Sequence, residues 1–228
     1  MQVRLPDKDE ITIAVTDSGL GGLSIMAEAA SRLKALRPAR RVRLVFFNAL
    51  FSNDSGYNSL QTRAAKARVF SSALESLERL VHPDVIVIGC NTLSVIYADT
   101  AFARTSRVPV LTIVAPGVEM FRQALRHDPK ATLALFGTET TIGDGAHRKA
   151  LEAGGIDGRR IVTKACPELA SYIESNWRGE ETRFMIASYV DEALATRRRD
   201  GGPVYAGLVC THYGYSLDSW KAAFEENG

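Results

Sequence analysis

"VIVIGCNTLS", residues 85–94, joins a nearly continuous apolar run to a cysteine, an asparagine and a threonine. A run of this kind marks a strand buried on both faces, the habit of a parallel sheet. Cys90 alone carries no function in such a place, because a free cysteine behaves as a small hydrophobe and is at home in a core. The pattern returns at residues 204–213, "VYAGLVCTHY", where a second apolar run ends in Cys210, a threonine and His212.

Working outward, short β-rich runs alternate with stretches of helical spacing. "ITIAV" precedes 22–36, "RLVFF" precedes 60–80, "VIVIG" precedes 92–103 and "VLTIV" precedes 117–126. The second half repeats the arrangement: "TLALF" before 142–153, "RIVTK" before 167–176, a helical segment near 180–197, and "VYAGLV" before a final short helix. Strand and helix in alternation predict an α/β doubly wound architecture with parallel sheets and helices on both faces. Thr12 and Thr132 begin matching strands 120 residues apart, and Cys90 and Cys210 are separated by the same 120 residues. One ungapped offset that aligns the first and last motifs of each half predicts two similar α/β lobes. The first lobe is expected to end near 95–115. The expected division is 1–100 plus about 205–228 for the first lobe and 101–204 for the second, with the active site in the cleft between them. Ligands of doubly wound sheets sit beyond the carboxyl ends of strands, where both cysteines stand.

The 228 residues, 46% of them hydrophobic, supply ample core material. A formal net charge of +2 does not call for nucleic acid. "RRR" at 197–199, beside Asp200 and a Gly-Gly-Pro turn, reads as a solvated helix end. No stretch approaches the ~18 apolar residues of a membrane span, and "MQVRLPDKDE" lacks the order of a signal peptide, so a cytoplasmic protein without a membrane partner is expected. The three cysteines, Cys90, Cys166 and Cys210, cannot all pair and have no zinc-site spacing. They are read as thiols, with no metal and no cofactor, and no lysine motif suggests pyridoxal phosphate.

"VTDSGLGGLS", residues 15–24, follows the first strand with Asp17, Ser18 and three glycines before a helix. Such a turn exposes backbone N–H groups suited to a carboxylate or phosphate, or it is simply tight. It lacks the dinucleotide fingerprint, since the third glycine is out of place and Asn48, not an acid, closes the second strand. A carboxylate at a buried strand end needs a partner, which singles out Asp17. The matching turn, "GTETTIGDG" at 137–145, offers Thr138, Thr140 and Thr141 as helix caps or as anion ligands. Two thiols at equivalent strand ends suit inversion of an α-carbon, which needs one acid/base group on each face. Asp17 and His212 are the neighbours available to tune them.

"DSGLGGLS", "GCNTLS", "ACPEL" and "CTHY", in that order between about residues 11 and 216, resemble the glutamate racemase family, the cofactor-independent branch of the aspartate/glutamate racemases. The resemblance implies racemisation of an acidic amino acid, L-glutamate to D-glutamate for peptidoglycan synthesis. Cys90 and Cys210 become the acid/base pair, assisted by Asp17, His212 and Glu174. Ser18, Asn91, Thr92, Thr141 and Thr211 are implied as substrate contacts, Cys166 as a packing residue and an amino acid as the small-molecule partner. A homodimer is one arrangement compatible with it.

The chain departs from the family in "SGYNSLQ", residues 55–61, where the turn that receives the substrate's side-chain carboxylate has Asn58 for glycine and Leu60 for lysine, with Tyr57 retained as a substrate contact. Aspartate or another small acid is therefore the alternative substrate, and a catalytically inactive amino-acid-binding homologue the alternative class. Only 18 residues follow Cys210, where the family continues through another strand and helix, so the first lobe is expected to be incompletely covered or completed by a partner subunit. Gly214 stands for the family's proline after the last motif.

Overall fold

A computed structural model describes residues 6–38, 40–52, 56–197 and 202–227. The chain forms two compact units, Met1–Ile113 and Val114–Gly228. In the first, β1 (Glu10–Asp17), α1 (Leu23–Leu36), β2 (Arg41–Asn48), α2 (Arg63–Val81), β3 (Val85–Ile88), α3 (Asn91–Ile96), α4 (Phe102–Thr105) and β4 (Val110–Thr112) follow one another. The four strands make one parallel sheet of order β2-β1-β3-β4, with Ile13 paired to Leu44 on one side and Val85 on the other. β1 and β3 are the inner strands, and Ala14, Val15, Ile86 and Ile88 are buried in them, as continuous apolar runs require. Phe70, Leu74 and Leu77 of α2, at i, i+4 and i+7, are the buried stripe of that helix.

The second unit contains α5 (Val114–His127), β5 (Thr132–Gly137), α6 (Glu139–Asp144), α7 (Ala146–Ala153), β6 (Ile161–Ala165), α8 (Leu169–Asn176), α9 (Glu180–Ala195), β7 (Val204–Val209) and α10 (Leu217–Asn227). Its sheet has the order β6-β5-β7, all parallel. All six residues of β5 are buried. By strand alternation Ala134 and Phe136 pack with α8, α9 and α10 around Trp220, while Leu133 and Leu135 pack with Phe121, Leu125 and Leu151 of α5 and α7.

The two sheets repeat one plan: β1 lies between β2 and β3 as β5 lies between β6 and β7. The 120-residue offset is thus a structural equivalence of β1 with β5 and of β3 with β7. The expected division of the chain needs correction at its end. Residues 205–228 do not return to the first unit, because β7 pairs along its whole length with β5, from Thr132↔Val204 to Gly137↔Val209. The first boundary, expected near 95–115, falls between Ile113 and Val114.

Two expected helices are broken. The segment 92–103 becomes α3, a 3-10 turn at Tyr97–Asp99 and α4, because Thr100 is extended and its hydroxyl accepts from the Ala103 N–H at 3.1 Å, restarting the helix. The segment 142–153 is divided at Gly145, whose φ of +72° is the left-handed conformation that glycine adopts without penalty. Most of the "RRR" reading, Arg198, Arg199 and Asp200, lies outside the described residues, as does Ser55 of the altered turn. Among the described residues no helix is long and apolar enough to cross a membrane.

Candidate active site

In a parallel sheet all strands deliver their carboxyl ends to one edge. β1 ends in Asp17 and β3 leads through Gly89 to Cys90, so pairing of β1 with β3 brings carboxylate and thiol together. Asp17 is fully buried; one of its carboxylate oxygens accepts from the Gly19 N–H at 3.1 Å and faces the Ser18 hydroxyl at 3.4 Å. The same hydroxyl lies 3.4 Å from the Cys90 sulfur. Gly22 explains one of the glycines of the turn by space alone: a Cβ there would stand 2.8 Å from both Cβ and Oδ2 of Asp17.

Cys90, 5% exposed, caps α3 with an extended backbone, φ −134° and ψ 129°. Burial, followed by the negative charge of Asp17, pushes its thiol up to about 12, against hydrogen bonds from the Ser18 hydroxyl and the Leu93 and Ser18 backbone. Cys90 is held as a thiol at neutral pH. Asn91 and Thr92 occupy the first turn of α3, both buried. Tyr57 is 2% exposed, and its hydroxyl donates to the Ala49 carbonyl at 3.0 Å while its ring packs edge-on against Phe51 and Phe70. That hydroxyl pins the turn after β2. Burial, then the Cys90 charge, holds it well above the ordinary tyrosine range. Asn58, beside it in the same short turn, is exposed.

The second unit carries the equivalent thiol in different company. Cys210 follows β7 with nearly the backbone of Cys90, φ −144° and ψ 132°, and starts a 3-10 helix, Thr211–Ser216. Its sulfur lies 3.9 Å from Nδ1 of His212, and Nε2 of His212 lies 2.6 Å from Glu174 of α8. The imidazole is nearly buried and the carboxylate half-exposed. A carboxylate can only accept, so Nε2–H donates to Glu174 and Nδ1 presents its lone pair to the thiol. This arrangement sets a proton-accepting nitrogen, held from behind by a carboxylate, next to the Cys210 thiol.

Two further bonds hold the relay in place. Ser216 donates to the Trp177 carbonyl at 2.8 Å, and the Tyr213 hydroxyl donates to the Cys166 carbonyl at 3.4 Å. Thr138 caps α6 by accepting from the Thr141 N–H at 3.3 Å, and its hydroxyl donates to the hydroxyl of the buried Thr141 at 3.0 Å. Thr211 is half-buried beside Cys210. Cys166 is 2% exposed within the core of the second unit, and burial pushes its thiol up to about 12. The described geometry thus joins Asp17, Ser18 and Cys90 in one unit, and Cys210, His212 and Glu174 in the other. The Leu93 and Ser18 amides at the Cys90 sulfur were not legible beforehand, because a backbone group has no residue signature.

The family model for Asp/Glu/Hydantoin racemase matches residues 18–201. The chain belongs to that family. The match begins one residue after Asp17 and ends before Cys210 and His212. A glutamate racemase of Aquifex pyrophilus is 31% identical to this family member over 205 residues, covering 88% of this chain and 70% of the relative. One of Geobacter metallireducens is 29% identical over 203 residues, covering 88% and 67%. Among solved structures, the glutamate racemase of Campylobacter jejuni superposes with a TM-score of 0.75 at 23% identity, over 94% of this chain and 78% of that one. That of Francisella tularensis, in complex with D-glutamate, gives 0.71 at 21% identity, over 96% and 75%. At these identities the superpositions establish the racemase fold.

Proposed function

We propose that this chain racemises glutamate without a cofactor, Cys90 and Cys210 serving opposite faces of the α-carbon and D-glutamate going to peptidoglycan synthesis. The observation that carries the reading is the equivalence of the two thiols: each follows the corresponding strand of a repeated sheet, and each has its own proton-handling neighbours. The curated relatives named glutamate racemase support the reaction and its substrate.

In this mechanism one thiolate removes the α-proton and the opposite thiol returns a proton to the other face. The two sites supply the two states. His212, oriented by Glu174, makes Cys210 the ready base, and burial beside Asp17 keeps Cys90 the ready acid. After one turnover the roles are exchanged, and the reverse reaction uses Cys90 as base. Asn91, Thr92 and Thr211, next to the thiols in sequence, and Thr141 in its buried turn are assigned to the substrate's carboxylate and amine, with the turn residues Tyr57 and Asn58. The test is incubation with L- and D-amino acids in D₂O, followed by NMR of the α-proton. Exchange and inversion of glutamate are expected. Inversion of aspartate in preference would reassign the substrate, and absence of exchange with every amino acid would reject the activity.

A further inference from the structure

The Ser18 hydroxyl stands between two groups that make opposite demands on it. It is half-buried, and its hydrogen-bonding neighbours are one carboxylate oxygen of Asp17 and the sulfur of Cys90, each at 3.4 Å. A hydroxyl has one proton to donate and lone pairs to accept with. An ionised Asp17 can only accept, whereas the Cys90 sulfur is a donor as a thiol and an acceptor as a thiolate. We infer that Ser18 is a positioning residue for Cys90, its hydroxyl proton turning from Asp17 to the sulfur each time the thiol becomes a thiolate.

The inference rests on the proposed racemase reading for its role in turnover, and on geometry alone for the contact. With Cys90 as thiol, S–H donates to Oγ of Ser18 and O–H donates to Asp17, which keeps the Gly19 amide as well. With Cys90 as thiolate, O–H points at the sulfur beside the Leu93 and Ser18 backbone groups. Rotation about one C–O bond connects the two arrangements, no heavy atom moves, and no proton is passed on through Ser18. The 3.4 Å to the sulfur is an ordinary length for a hydrogen bond to sulfur, and the 3.4 Å to Asp17 is long for an O–H···O bond, so the hydroxyl is not locked onto the carboxylate. The family resemblance implies a different task for this side chain, holding the substrate's carboxylate, and the two tasks predict different kinetics.

Ser18→Ala removes the rotor, and Ser18→Thr restores a hydroxyl. If Ser18 serves Cys90, Ser18→Ala lowers kcat roughly 10- to 100-fold with KM nearly unchanged, and Ser18→Thr recovers most of the loss. A rise in KM with kcat preserved would overturn the inference in favour of carboxylate binding. The contact has its own readout, independent of turnover: the Raman S–H stretch of Cys90, isolated as the difference between the parent protein and Cys90→Ala. It should lie at the low wavenumber of a hydrogen-bonded thiol and move up in Ser18→Ala. A band at the free-thiol position in the parent, or one unmoved by Ser18→Ala, would overturn the inference even in an active racemase. If no amino acid exchanges in D₂O, the racemase reading and the role in turnover fall together, and the band then decides the contact alone.

Discussion

Cys90 and Cys210 occupy equivalent strand ends, and each serves one face of the substrate in the proposed mechanism. Cys90→Ala and Cys210→Ala should therefore each abolish racemisation, read by circular dichroism, while calorimetry still detects ligand binding. Cys166 differs in having no equivalent in the first half and in lying within the core of the second unit, where its sulfur meets the Lys164 carbonyl at 3.7 Å and the Tyr213 hydroxyl. Cys166→Ala should leave turnover within about twofold and lower stability by about 1 kcal/mol, read by urea unfolding, for the loss of one buried sulfur.

Elements set the conditions under which these residues act. The start of α1 presses Gly22 against Asp17, and the added methyl of Gly22→Ala would meet the base of a fully buried side chain. Urea unfolding should report a loss of about 1–3 kcal/mol, with reduced kcat because Asp17 is displaced from Ser18 and Cys90. On the other unit α8 aims Glu174 at the Thr211–Ser216 helix. Glu174→Gln keeps the shape but not the charge opposite Nε2, and should lower kcat by about 100-fold in the direction that uses Cys210 as base, with a smaller effect in the reverse direction. Equal losses in both directions would show that Glu174 acts on the fold of the turn rather than on His212.

Across the whole molecule, buried titratable groups set the pH range of stability. His147 of α7 is 4% exposed, and burial holds its imidazole down to about 4 from an ordinary 6.5, with Asp144 opposing. A lowered folded-state value stabilises the fold fully above pH about 6.5, and this contribution is lost as pH falls towards about 4. It amounts to about 3 kcal/mol at most. Thermal melts between pH 4 and 8 should show that loss in the parent protein, and His147→Gln should flatten the acid limb. On the alkaline side Cys90 and Cys166 work in the opposite sense. Their raised values favour the fold below pH about 9 and cease to do so as pH climbs towards about 12.

The strands, the parallel sheets, the internal repeat and the pairing of a thiol with each half were determined by the sequence itself. Continuous apolar runs and a constant offset are local patterns, and local patterns survive in one dimension. The placing of β7 was decided only by tertiary structure, because hydrogen bonding along β5 competes with every other open sheet edge and no residue type marks the winner. The breaks at Thr100 and Gly145 depended on side-chain caps and a left-handed φ that apolar spacing does not register. The bond from the Tyr57 hydroxyl to the Ala49 carbonyl was likewise set only by the fold, since a backbone acceptor has no residue signature. Residue types announced which chemistry was available. Distances of 3.4 Å at Ser18 and 2.6 Å at Glu174 decided which groups could act on one another, because proton transfer falls away within an ångström of hydrogen-bond contact.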